Sequence, residues 1–169
     1  MALIKDNQLA EDPWIFLADD APVPGNNQHI VVSLDRWQQE RDQLIERQGP
    51  IGVKLASDQS PALIADDLTK LALVALEFPV FKDGRAFSYA RLLRERYGFD
   101  GEVRAVGDVL RDQLFFMHRC GIDAFQVKDE HVLQDWLEAA QELSVVYQPA
   151  ADDRRSILQL RRWKRDAAE

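Results

Sequence analysis

The chain has 169 residues, 46% hydrophobic and 30% charged, with a formal net charge of −8 and a single cysteine. That composition is globular, and the length suffices for one domain burying roughly 70% of its unfolded surface. The net acidity excludes generic nucleic-acid binding, one cysteine excludes an internal disulfide framework, and no apolar run approaches the ~20 residues of a membrane span. The N-terminal MALIKDNQLAEDPW has no basic region followed by an apolar core. A cytoplasmic location is therefore expected.

In chain order, ALIK, a polar turn at Asp6-Asn7 and WIFL predict a small extended pair within residues 1–29. A Pro/Gly/Asn loop over 18–28 follows. HIVVS is the first strand of the main unit, and Ser33 is placed to cap a helix Leu34–Gln48 that ends at Gly49-Pro50. GVKLA (52–56) is the next strand, and Ser60-Pro61 opens a helix to about Lys70. LVALEF (73–78) is followed by a longer loop and a helix Ser88–Tyr97 closed by Gly98. Val103–Val106 leads through Gly107-Asp108 into a helix Val109–Arg119. Ala124–Val127 leads into a helix Glu130–Leu143, and SVVYQ (144–148) reads as a sixth strand.

Strand-then-helix units of ~20–25 residues specify an α/β domain over residues 30–150, with a mostly parallel sheet of five to six strands and right-handed crossovers. A singly wound, partial-barrel-like sheet and a doubly wound one both fit the pattern, and the first is favoured. Beyond 150, residues 154–165 (RRSILQLRRWKR) hold six basic and no acidic side chains. Subtracting them from −8 leaves −14 on the rest of the chain. This tail either folds back on the acidic body or docks an acidic partner.

The reason to prefer the curled sheet is a polar residue inside each of four successive apolar strands: Lys54, Glu77, Arg104 and Gln126. Buried parallel strands are normally near-continuous apolar runs, and a lone charge there costs several kcal/mol unless paired or facing a wet cavity. Glu77 can pair with Lys54 or Arg104 as a ladder. It can instead fix the Arg104 guanidinium for an anionic ligand, or act as an acid–base group.

Ligands of either arrangement gather at the carboxyl ends of the strands. The loop 79–85 is the richest there, with Asp83-Gly84 presenting Arg85 and then Ser88 at a helix start, an arrangement suited to an anion. Turn, cap and ion-pair roles for the same residues are the alternative. Asp108 and Asp112, four apart and sharing a face with Arg119, are either paired carboxylates for proton or metal chemistry or a helix cap and its neighbour. Gln113 beside them can orient a substrate or hold backbone.

No GxGxxG, P-loop, CxxC or HExxH occurs, and His29, His118 and His131 lack metal-ligand spacing. No cofactor or metal is evident, and Cys120 reads as a small buried apolar residue.

Two strings, FPVFKDGRAFSYARLLRERYG (78–98) and GEVRAVGDVLRDQLFFMHRCGIDAF (101–125), closely resemble the hallmark region of the bacterial domain of unknown function 934. GVKLASD (52–58) and VVYQPAADDRR (145–155) extend the likeness over most of 30–155. The resemblance implies a role in sulfite reduction within sulfate assimilation, with sulfite reductase or another assimilation enzyme as partner. It picks out Asp83, Gly84, Arg85, Ser88, Arg91, Arg94, Arg104, Gly107, Asp108, Asp112, Gln113 and Arg119. The family carries DGRG where this chain has Ala86, which puts any close backbone approach by a ligand at that position in question.

Three functions follow as expectations. The first is an accessory protein acting with the reductase. The second is an enzyme or binding protein for a small anionic ligand at the strand mouth, and the third an oxidoreductase in its own right. The edge strands of an incomplete curl need covering, by the N-terminal pair or by another subunit, so a homodimer is also an expectation.

Overall fold

Eight strands form one mixed sheet in the computed structural model of the protein, which describes residues 1–6, 8–25, 27–128, 133–134, 137–138, 145–152 and 154–166. They are β1 (Ala2–Lys5), β2 (Gln8–Ala10), β3 (Trp14–Phe16), β4 (His29–Ser33), β5 (Ile51–Leu55), β6 (Leu73–Phe78), β7 (Glu102–Gly107) and β8 (Ala124–Val127). Their spatial order is β2-β1-β8-β7-β6-β5-β4-β3. Strands β3 to β8 are parallel and lie in sequence order, so that part is singly wound; β1 is antiparallel to both β8 and β2.

The sheet has eight strands where the sequence pattern predicts five to six, and the difference lies in the N-terminal segment. ALIK pairs with Gln8–Ala10 and with β8, while Trp14–Phe16 pairs with β4 at the opposite edge. The expected ALIK–WIFL pair does not form. Val146 makes only an isolated bridge to Ser156, so SVVYQ adds no strand to the sheet among the described residues.

Chain length forces the sheet to curl. Laid flat, eight strands at about 4.8 Å spacing would hold their two edges roughly 34 Å apart. Only Glu11, Asp12 and Pro13 join β2 at one edge to β3 at the other. Four Cα–Cα steps reach at most about 15 Å. The edges must therefore approach each other, as in a barrel left unzipped along one seam.

Alternation along each strand separates an outer face from an inner one. Ile30, Val32, Val53, Leu55, Val74, Leu76, Val103, Ala105, Phe125 and Val127 point outward and are fully buried under the helices. The covering helices are α1 (Leu34–Ile45), the 3₁₀ helix Pro61–Lys70, α2 (Arg85–Arg91, continuing in wider π turns over Leu92–Arg96) and α3 (Arg111–Arg119). Ser33 caps α1 by accepting from the Arg36 N–H at 3.1 Å. Ser60 caps the 3₁₀ helix ahead of Pro61. The α2 helix begins at Arg85 with Gly84 as its cap residue, so Ser88 lies inside the helix and does not start it. The expected helix Glu130–Leu143 falls largely outside the described residues. A basic helix, α4 (Ile157–Asp166), closes the chain.

The inner face holds a smaller apolar cluster of Val31, Leu73, Ala75 and Val106 with Trp14. All the polar strand residues share this face, because Lys54, Ala75, Arg104 and Ala124 stand in one register row. Glu77 is two residues further along β6, and Glu102 two residues back along β7.

Candidate functional site

That register divides the four polar strand residues into two groups. Arg104 turns toward the amino end of its strand and has no exposed surface. Its Nε donates to Glu102 at 2.7 Å and its Nη1 to Asp12 at 2.8 Å, while Lys5 Nζ donates to Glu102 at 2.7 Å. Glu102 in turn holds the Lys5 ammonium above its usual pKa. Two cations and two anions thus cancel. Buried charge is tolerable only in such a closed set, and this one ties the β2–β3 connection to β7.

Lys54 turns the other way. Its Nζ donates to Glu77 at 3.3 Å, toward the carboxyl ends of the strands, and both side chains keep about a third of their surface, 36% and 32%. Glu77 therefore partners Lys54 and not Arg104, so a guanidinium held by Glu77 for a ligand is not present. Gln126 is half-buried on the inner face of β8, opposite Leu3 of β1.

The carboxyl rim carries further pairs. Arg85 is exposed, and one edge of its guanidinium bonds neighbours: Nε to Asp83 at 3.0 Å, and Nη2 to Asp83 at 2.6 Å and to Ser57 at 2.9 Å. Beside Arg85, the Asp83 carboxyl lies far below the usual carboxylate range. Asp108 accepts from Lys128 at 3.1 Å, and its N–H donates to the Phe78 carbonyl at 2.7 Å. The bend that brings it there needs Gly107 at φ +95°, where a Cβ would sit 2.5 Å from that carbonyl oxygen.

Because α3 starts only at Arg111, Asp108 does not share a helix face with Asp112 and Arg119. Arg119 instead pairs with Asp152 at 3.0 Å and donates to the Gln148 carbonyl at 2.6 Å, anchoring the C-terminal segment. Asp112 is exposed in the first turn of α3. Gln113 donates to the Phe81 carbonyl at 3.4 Å, holding the loop after β6 against α3. Ser88 stands on the outward surface of α2 with Arg91, Leu92, Glu95 and Arg96, away from the mouth. Ala86 is packed in the core, so the departure from DGRG falls on the inner side of α2.

A concavity of about 330 Å³ opens at the carboxyl ends of β3, β4 and β5. Phe16, Asp19, Ser33 and Lys54 line it together with residues 17–18 and 31–32. Ser33 and Lys54 are register partners on adjacent strands, and the Ser33 hydroxyl donates to Asp19 at 2.5 Å. Sequence reasoning used Ser33 only as a cap and did not single out Asp19 or Phe16. The one available signal was Ser33 itself, ending a strand whose neighbour carries a lysine. Asp12 was missed because its partner Arg104 lies on a distant segment, and Glu102, two residues before Arg104 on the same strand, was not weighed as its partner.

Several residues picked out by resemblance are architectural. Arg94 donates to the carbonyls of Phe99, Gly101 and Gly121 and pairs with Asp123 at 2.7 Å, stapling the end of the π turns to the entries of β7 and β8. Arg91 pairs with Glu95 on the helix surface. Cys120 is half-buried, and burial raises its thiol pKa, opposing thiolate chemistry. Among the described residues no group of three or more His, Cys, Asp or Glu side chains could hold a metal, and no helix is long and apolar enough to cross a membrane.

A family model described as "Bacterial protein of unknown function (DUF934)" matches residues 52–158. No curated protein matches the chain.

Proposed function

The chain belongs to the bacterial family of unknown function DUF934, and from that premise we propose that it is an accessory protein of assimilatory sulfite reduction that docks on sulfite reductase. The process and the partner come from the resemblance of the DGR and VRAVGDVLRDQ strings. One observation supports docking over catalysis. Each cation proposed for an anion site already has an acid beside it: Lys54 has Glu77, Arg85 has Asp83, and Arg104 has Glu102 and Asp12. Nearby, the loop after β6 and the adjoining face of α3 leave Val80, Phe81 and Phe116 more than half exposed, at 56%, 54% and 59%. Gln113 holds that loop to α3, and Phe116 follows one turn later, so these apolar groups form one surface. Exposed apolar clusters on a charged surface mark contact sites.

The test is affinity capture from cells grown without cysteine, with the assimilation enzymes quantified. Sulfite reductase should be enriched by the wild-type protein, and Phe81→Ser with Phe116→Ser should abolish the enrichment. No enrichment with the wild-type protein overturns the proposal.

A second reading is a binding protein or enzyme for a small ligand at the strand mouth. The concavity beside Lys54 favours it.

A further inference from the structure

The concavity at the ends of β3–β5 has a charge balance that a simple anion does not fit, and this bears on the second reading above. Lys54 brings one positive charge, but Glu77 stands 3.3 Å from its ammonium and Asp19 lines the same space. The three groups sum to −1. An inorganic anion entering here would gain one ammonium already shared with a carboxylate, and would meet a second carboxylate, Asp19, lining the same space.

Asp19 is held in place by its surroundings. The Arg36 guanidinium, itself 5% exposed, donates to the Ala18 carbonyl at 2.7 Å. The Leu17 N–H donates to the Val31 carbonyl at 2.9 Å, and Ala21 closes a turn onto Ala18 at 3.1 Å. The Ser33 hydroxyl, whose oxygen accepts from the α1 backbone, donates to one carboxylate oxygen of Asp19. A carboxylate offers about four lone-pair sites, so this bond leaves acceptor capacity facing the space. Lys54, one strand spacing from Ser33, offers up to three N–H donors, of which Glu77 takes one. Phe16 supplies an apolar wall.

From this geometry we infer that the concavity binds a small carboxylate that also carries a hydrogen-bond donor, an amino or hydroxy acid. The ligand's carboxylate meets Lys54, its ammonium or hydroxyl donates to Asp19, and its short carbon chain lies on Phe16. Such a ligand carries donor and acceptor at the two places where the walls carry their opposites. The inference rests on the mouth being a ligand site at all, and the experiment separates failure of the one from failure of the other.

Three probes share one carbon skeleton: propionate has the carboxylate alone, lactate adds a hydroxyl, and alanine adds an ammonium. Their binding to the full chain is measured by calorimetry alongside sulfite, sulfate and phosphate, for wild type, Lys54→Met and Asp19→Asn. Both positions retain solvent exposure, and a near-ultraviolet dichroism spectrum checks that each variant is folded. Lactate or alanine should bind at least about tenfold more tightly than propionate, because a site built around a donor rejects the analogue lacking it. Asp19→Asn should weaken alanine more than lactate, because the amide oxygen still accepts from a hydroxyl but no longer pairs with an ammonium, and Lys54→Met should abolish binding of all three. Binding of propionate or the inorganic anions through Lys54, without preference for lactate or alanine, overturns the inference and leaves a simple anion site at the mouth. Absence of binding by every probe overturns both.

Discussion

The inner face of one sheet carries two ionic groups that differ in burial and therefore in worth. Toward the amino ends, Arg104 is sealed and shares Glu102 with Lys5 and Asp12 with the connection between the sheet's two edges. Toward the carboxyl ends, Lys54 and Glu77 form a pair that water still reaches. In the sequence the two lysine- and arginine-bearing strands look alike. Desolvation of Arg104 and Glu102 makes the first group structural, because without its acids the Arg104 guanidinium is an uncompensated buried charge. The second group is screened, contributes little to stability and remains open to a ligand.

The strongest way to break this contrast is Arg104→Ala. It leaves Glu102 and Asp12 without their guanidinium and should cost about 3–5 kcal/mol of unfolding free energy in a urea titration. A loss under about 1 kcal/mol would place Arg104 in the same class as Lys54.

A reference outside the barrel is Asp67 on the 3₁₀ helix, which accepts from Arg41 and from the buried Trp37 indole at 3.3 Å. Asp67→Ala orphans that indole N–H and should cost about 1–3 kcal/mol. The Arg41 hydrogen bond holds the Asp67 carboxyl below its usual range. Its contribution is therefore fully present above the unfolded carboxylate pKa of about 4, and is lost as pH falls through the lower folded value. Stability measured against pH should show a shallower acid limb in the variant.

Asp12→Asn sharpens the contrast within the amino-end group, since Arg104 keeps Glu102 and a neutral acceptor at position 12 but loses the ion pair with the β2–β3 connection. About 1–2 kcal/mol is expected from denaturant midpoints, in line with a hydrogen bond to a charged group. Smallest of all is Lys54→Met, which should shift stability by less than about 1 kcal/mol in the same titration. A larger loss there would mean that the mouth pair is structural as well.

Local signals made much of the fold legible. Apolar strands, Ser33 and Ser60-Pro61 as helix starts, and Gly98 at φ +60° all report backbone preferences that act within a few residues. The N-terminal segment was legible as extended and able to cover an edge, but not its division between opposite edges, because β1 is recruited by β8, more than a hundred residues away, and β3 by β4. The same distance problem hid Asp12. Nothing in Glu11-Asp12-Pro13 announces a partner at Arg104, and only closure of the sheet brings the two together.

The candidate site shows the same division. Lys54, Glu77, Arg104 and Gln126 stood out because charge and amide inside apolar strands demand explanation, and all four face inward. Their pairing was out of reach, since choosing between Lys54 and Arg104 as the partner of Glu77 requires knowing which side chain leans toward the mouth. Asp83, Arg85 and Asp108 were visible as rim residues, whereas Ser57 and Lys128 became their partners only through the packing of successive loops.

By itself, then, the order of residues determined the family, the strand–helix alternation and which side chains break the apolar pattern, because these depend on composition and on neighbours along the chain. Tertiary structure alone decided that the sheet curls until its edges approach, that Arg104 is sealed while Lys54 is open, and that Asp19, Ser33 and Lys54 line one concavity. Burial and pairing are properties of segments brought together from far apart, and they set whether a charge serves the fold or remains available to a ligand.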